Sequence, residues 1–330
     1  MVFAQIKRFK IYILIFCITL FIVLLVRTLF IHSYTVSSSL METDLLEGDR
    51  VLVNKSAYGV RMPITLLSIP LTFDTFFGVK SYSDFIQLNY RRLFSKKADR
   101  NDIVLFNNPL ESSKPVDKRS LLVSRCVGLP GDTVFLKGRD YFVCGKKYLP
   151  SPDLLLTYRF PKEYKTQVLS ILELFNIPVR NELYDKSFAY LSLDKYEVFI
   201  INQRLSVCQL EEDTRSAVVH ALIVPQKNVT VHFNVFNAPF YAKIIEEELK
   251  DVHAKVRVEK GNVHINDIVF SSYKFNSDYY WLMSDNVEES IDSKLLGLVS
   301  EKYLVGEVFF IWYSSDEDGI EWSRLFSSVN

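Results

Sequence analysis

Between Ile11 and Val26 the chain carries 16 residues without a charge. Lys7, Arg8 and Lys10 stand before this run and Arg27 follows it. At ~1.5 Å per residue the run covers ~24 Å, slightly short of a bilayer core. Leu29, Phe30 and Ile31 extend it, with Arg27 reaching the interface along its aliphatic stem. A run apolar on all faces suits lipid better than a buried core helix. A cleaved signal peptide is the other alternative, but the run is longer than the usual apolar stretch of such peptides and no small-x-small cleavage site follows it. Residues 1–32 are therefore read as a cytoplasmic N-terminus and an uncleaved single-span anchor. The basic residues keep the N-terminal end cytoplasmic, which puts the rest of the chain outside the cytoplasm. No later segment competes as a span: Val308–Tyr313 is apolar but short, follows Glu307, and reads as a buried strand.

The 330 residues suggest two domains at ~150 residues each. Lys plus Arg total 39 and so do Asp plus Glu, so electrostatic capture of nucleic acid is not supported. With 24% charged and 48% hydrophobic residues, disorder, a collagen and a disulfide miniprotein are ruled out. The 25 Phe and 18 Tyr favour strands. Cys17 lies in the span, leaving Cys126, Cys144 and Cys208 outside, which permits at most one internal disulfide. Their spacing matches neither a zinc site nor a CxxC motif, and no metal or organic cofactor is implied. Asn54-Lys55-Ser56 and Asn228-Val229-Thr230 match the glycosylation sequon, a pattern too short to carry weight.

Short β-type runs dominate after the anchor: Val51–Val53, Ile103–Phe106, Leu121–Val123 and Gly306–Tyr313. Thr133–Leu136 and Tyr141–Val143 flank Gly138 as a hairpin would, and Lys255–Glu259 and Val263–Phe270 flank Lys260-Gly261-Asn262 in the same way. Lys165–Phe175 and Pro239–Leu249 read as helices, the second as surface packing. Residues 64–98 form an insertion rich in Phe, Tyr and Ser, and no solenoid repeat is visible.

Five blocks then follow in order. Ser37-Ser38-Ser39-Leu40-Met41-Glu42-Thr43 leads to Gly48-Asp49 and to Val53-Asn54-Lys55-Ser56-Ala57-Tyr58-Gly59. Arg100-Asn101-Asp102-Ile103-Val104-Leu105-Phe106 comes next, then Arg125-Cys126-Val127-Gly128-Leu129-Pro130-Gly131-Asp132. Ser284-Asp285-Asn286, with Ser290-Ile291-Asp292-Ser293-Lys294, closes the series. Read singly, the serines could be a linker and Gly131-Asp132 a plain hairpin turn. In this order, downstream of one anchor, the blocks resemble the bacterial type I signal peptidases, serine peptidases with a Ser/Lys dyad. The resemblance spans about residues 33–313 and is weakest at 64–98 and 133–280.

That resemblance implies a chemistry for each matching position. A serine hydroxyl attacks a carbonyl only when a base takes its proton, and a buried lysine can serve. Ser39 falls at the nucleophile position, while Ser37 falls at that of the side-chain oxyanion donor, joined by the Ser39 N–H. The lysine base of the family falls at Ser124, and Arg125, Gly128, Pro130 and Asp132 fix that alignment. Lys118 lies ~20 Å away along an extended chain, and His220, His232, His253 and His264 all fall in the weakly matching stretch. Ser290 and Asp292 stand where the family supports its base, with Arg125, Asp285 and Lys294 completing the cluster. Leu40, Glu42, Asn101, Ser284 and Lys294 replace Met, Pro, Gly, Gly and Arg of the pattern.

The implied fold is mainly β: a signal-peptidase-like β protease core on one transmembrane helix, with an inserted α+β domain. Residues 33–135 plus 278–315 would form the core, 136–277 the insert and 316–330 a C-terminal tail. The implied substrates are signal peptides of exported preproteins, met at the outer face of a bacterial inner membrane, with the C-terminal domain extracytoplasmic. Two readings stay open. One is an endopeptidase working through Ser39 with an unusual base. The other is an inactive homologue that binds signal peptides or partners an active signal peptidase paralogue.

Overall fold

The computed structural model describes the chain except residues 1, 39, 40, 42, 69–74, 77, 84, 138, 139, 149–155, 181, 206, 207, 213–220, 287–292, 317, 318 and 330. Helix α1 (Val2–Leu29) contains neither Gly nor Pro, so nothing interrupts its hydrogen-bond ladder. Its apolar stretch Lys10–Leu29 has 20 residues and none of it is buried by protein. At ~1.5 Å per residue that is ~30 Å, a bilayer core. Strand β1 (Ile31–Thr35) follows almost without a break, and the Lys55 N–H donates to the Phe30 carbonyl at 2.8 Å, tying the helix end to the folded domain.

Strand residues (36%) outnumber helical ones (25%), so the protein is mainly β, as its aromatic content indicates. The principal sheet contains β1, β2 (Arg50–Asn54), β3 (Ile103–Asn107), β4 (Leu121–Gly128), β5 (Tyr279–Met283), β6 (Val299–Ser300), β7 (Leu304–Tyr313) and β8 (Ser327–Ser328). Its order is β1-β2-β7-β3-β4-β5-β6, with β8 on β7 and every pairing antiparallel. Residues 316–330, read as a tail, thus include the β8 strand.

The Ile103–Phe106 run does not alternate because its strand is covered on both faces. Ile103 and Leu105 pack with Val36, Met41, Leu45, Val51 and Val53, while Val104 and Phe106 pack on the opposite face with Tyr58, Cys126, Leu282 and Tyr303. Each such side chain contributes about 1.5–3 kcal/mol by leaving water. β7 is less enclosed than its apolar sequence suggests, since Phe309 is 40% exposed.

Thr133–Lys137 pairs with Asp140–Val143 as the hairpin signal indicates. The Val263–Phe270 run splits into two strands, Asn262–Ile265 and Ile268–Phe270, because Asn266 and Asp267 take positive φ and turn the chain. Helices α2 (Lys165–Leu174) and α3 (Lys195–Arg204) pack with Leu156–Pro161 and Phe188–Leu193 around a core of their own. Helix α4 (Ala238–Glu248) lies against the strands Val256–Glu259 and Asn262–Ile265 and buries Ala238, Tyr241, Ile244 and Ile245 in a cluster that extends to Val127, Trp281 and Met283, so it is core rather than surface packing.

Candidate active site

Successive side chains of a strand face opposite ways, so β4 sends Val123 and Arg125 to one side and Ser124 and Cys126 to the other. Ser124 lies across from Val104, and Cys126 across from Leu282 on β5. Ser124 is 0% exposed, and its hydroxyl has no hydrogen-bond partner among the described residues. It therefore sits in an apolar slot walled by Val104, Cys126 and their cluster, the environment that would strip solvation from a lysine placed there. Burial raises the Cys126 thiol well above its usual range, which keeps this neighbour protonated.

Arg125, on the other face, gathers three distant segments. Its Nε and Nη2 donate to the two oxygens of Asp285 at 3.0 and 2.8 Å. Its Nη1 donates to the Asn101 carbonyl at 3.2 Å, and Nη2 also pairs with Asp44. Burial alone would lower its pKa, but the Asp285 bonds and then the Asp44 charge outweigh this and hold the guanidinium charged. The Thr43 hydroxyl donates to Asp285 at 2.5 Å. Thr43 and Asp44 lie four and five residues after Ser39, so one guanidinium fixes the stretch that follows the serines against β4 and the Ser284–Asn286 turn.

A second clamp holds the same loop. Asp49, 0% exposed, accepts from Arg324 at 2.6 and 3.3 Å, and Arg324 also donates to the Asp44 carbonyl at 2.8 Å. The Gly48 N–H donates to the Val36 carbonyl at 2.9 Å, closing the loop just before Ser37. Ser37 itself is exposed and beside Tyr34, whose pKa is raised by burial and partly restored by its bond to Ser37.

The Gly128-Leu129-Pro130-Gly131-Asp132 turn is rigid for stated reasons. Asp132 accepts from the Leu129 N–H and from Arg100, each at 2.8 Å, and Gly131 has φ +98°. A Cβ on Gly128 would stand 2.8 Å from the Trp281 Cβ. Tyr58, from the second block, donates to Asp102 of the third at 3.0 Å.

Ser39 and Ser290 and Asp292 lie outside the described residues, as do Leu40, Glu42 and His220, and so does the Lys294 side chain. Lys118 is not beside Ser124: it donates to Ser68 at 2.7 Å from a buried turn. His232 lies on the strand Thr230–His232, His253 caps a helical turn at φ +50°, and His264 stands 3.9 Å from Glu259. Thr43, Asp44 and Arg324 were not singled out from the sequence. The acidic residue right after the serine block was a usable signal for the first two, whereas nothing marks Arg324 before the chain folds.

An unburied apolar helix, consistent with a membrane protein, leads into a mainly β framework with a charged knot at its strand ends. The chain belongs to the signal peptidase family, peptidase S26, which it matches over residues 9–205 and 215–313. It is similar to the signal peptidase I of Buchnera aphidicola subsp. Baizongia pistaciae, with 26% identity over 293 residues, 89% of this chain and 73% of the relative. The signal peptidase I of Helicobacter pylori (strain ATCC 700392 / 26695) is 22% identical, covering 94% of this chain and 90% of that one. That of Rickettsia bellii (strain OSU 85-389) reaches 31% over 121 residues, 37% of this chain and 35% of the relative.

Proposed function

We propose that this chain binds the signal peptides of exported preproteins at the membrane surface, in a signal-peptidase site whose cleavage step is slow for want of a base. The observation that carries the reading is the Arg125 knot, which joins Thr43-Asp44, Asn101 and Asp285, three of the five family blocks, on the fourth. Such a frame would hold the stretch after the serines in register with β4. In this reading Ser39 attacks the carbonyl carbon, and Ser37 with the Ser39 N–H stabilises the oxyanion. Ser124 falls in the base position, with Ser290, Asp292 and Lys294 in the family's supporting positions, while Arg125 and Asp285 act from the other face of β4, where they brace the Thr43-Asp44 segment. A neutral hydroxyl takes no proton from another at pH 7, so losing the base removes about 10²–10⁴ of rate.

The same reading puts the folded domain on the extracytoplasmic side of a bacterial inner membrane, with 33–135 plus 278–315 as the core and 136–277 as the insert. It also allows an active signal peptidase paralogue as partner.

The test is cleavage of a fluorogenic Ala-x-Ala peptide by the full chain in detergent, with Ser39→Ala and Ser124→Lys alongside. The expected result is slow or absent cleavage by wild type and a gain in Ser124→Lys, whose amine the apolar slot would hold uncharged. Fast wild-type cleavage lost in Ser39→Ala would overturn the slow step and require another base. Silence from all three would leave peptide binding or partnership with an active paralogue as the function.

A further inference from the structure

Where α1 meets the folded domain lies a cavity of about 420 Å³, at the Leu121 end of β4 rather than at the Arg125 knot. Its size falls in the ~300–1,000 Å³ range of small-ligand sites. Leu24 and Arg27 of α1 line one side, and Lys55, Arg61, Asp117 and Lys118 the other. Four basic side chains thus face one carboxylate. That carboxylate is engaged already, since Asp117 accepts from the Thr65 N–H at 2.9 Å and from its hydroxyl at 2.8 Å.

Arg61 is the second, independent observation. It is 9% exposed, and its Nη1 donates to Asn107 at 2.7 Å. Its Nη2 is buried with no hydrogen-bond partner among the described residues. A guanidinium cannot shed its charge to escape this, so the nitrogen is open to an acceptor that the described residues do not supply. Burial, then the neighbouring Arg61, push Lys55 down to about 8; Asp117 offsets part of this and Arg27 adds to it, leaving a repulsion that a bound anion would relieve.

We propose that this cavity binds a phosphate group, presented by the headgroup of an anionic phospholipid. Position selects the lipid as source. The apolar stretch of α1 ends at Leu29, so Arg27 and the cavity stand at headgroup level. Leu66, half exposed at the cavity wall, offers apolar surface toward the same layer. The Arg61 fork matches two phosphate oxygens, while Arg27 and Lys55 supply point charges around it.

The test titrates the full chain in a mild detergent with phosphatidylglycerol, with phosphatidylcholine and with inorganic phosphate, reading adducts by native mass spectrometry. The expected result is one saturable phosphatidylglycerol adduct, at least tenfold tighter than phosphatidylcholine, and weakened at least tenfold in Lys55→Gln and in Arg61→Gln. Lys55→Gln leaves the Arg61–Asn107 bond in place, so it decides alone if Arg61→Gln does not fold. Binding of inorganic phosphate that both variants weaken, without a lipid adduct, overturns the lipid source and keeps the phosphate site. Equal binding of the two lipids, or variants that bind as wild type does, overturns the proposal.

Discussion

Replacing Ser124 by alanine removes a buried hydroxyl that bonds to nothing among the described residues. Such a group costs free energy in the fold, so Ser124→Ala should leave stability unchanged or raise it by up to about 1 kcal/mol. Arg125→Leu should do the reverse. It strands the Asp285 carboxylate, 3% exposed, without its guanidinium, at a cost of about 3–5 kcal/mol. Thermal melting of the two variants checks this, and losses of similar size would contradict it. The sequence marks both positions through the Arg-Cys-Val-Gly-Leu-Pro-Gly-Asp block, yet their energetic difference comes from which face of β4 each occupies. No periodic pattern links residues so far apart: the resemblance brought Arg125 and Asp285 into one cluster, whereas nothing in the sequence pointed to Arg324 with Asp49.

At the level of elements, strands were legible where flanking turns gave a start and a stop, as in Thr133–Lys137 with Asp140–Val143. Helix α3 was not. Val198-Phe199-Ile200-Ile201 is a continuous apolar run rich in β-branched residues and has the look of a strand. The signal that settles it lies upstream. Asp194 accepts from the Glu197 N–H at 2.7 Å and Glu197 accepts from the Asp194 N–H at 2.9 Å, a reciprocal capping box. Once capped, the helix buries Val198 and Ile201, three residues apart, on one face. Asp194→Ala should therefore cost about 1 kcal/mol and speed amide exchange at the start of α3. Unchanged exchange there would show that tertiary packing alone holds this turn.

Over the whole molecule, the apolar helix α1 was the plainest feature of the sequence, because its 20-residue apolar stretch needs no knowledge of the fold to be seen. Its junction with the domain was not legible, since it depends on groups that only the fold brings together. There His32 is pushed down from 6.5 to about 4 by burial and then by Lys55 and Arg27. The folded domain thus binds fewer protons at His32 than the unfolded chain does between these values. That part of the stability is present above pH 6.5 and is lost as pH falls toward 4. Melting curves at pH 7 and 4.5 should show wild type losing on the order of 1–3 kcal/mol more than His32→Gln over this interval. Parallel losses would mean that His32 is solvated.

The strand order has a temporal side. β7 lies between β2 and β3, so the last long strand to be made joins the first two to the rest of the sheet. Until residues 304–313 exist, β1 and β2 form only a hairpin beside α1, and two-stranded hairpins are marginal in water. Arg324, later still, locks the loop that carries Thr43 and Asp44. The serine segment is therefore made long before the pieces that brace it, and a growing chain carries no assembled site until residues 304–324 exist.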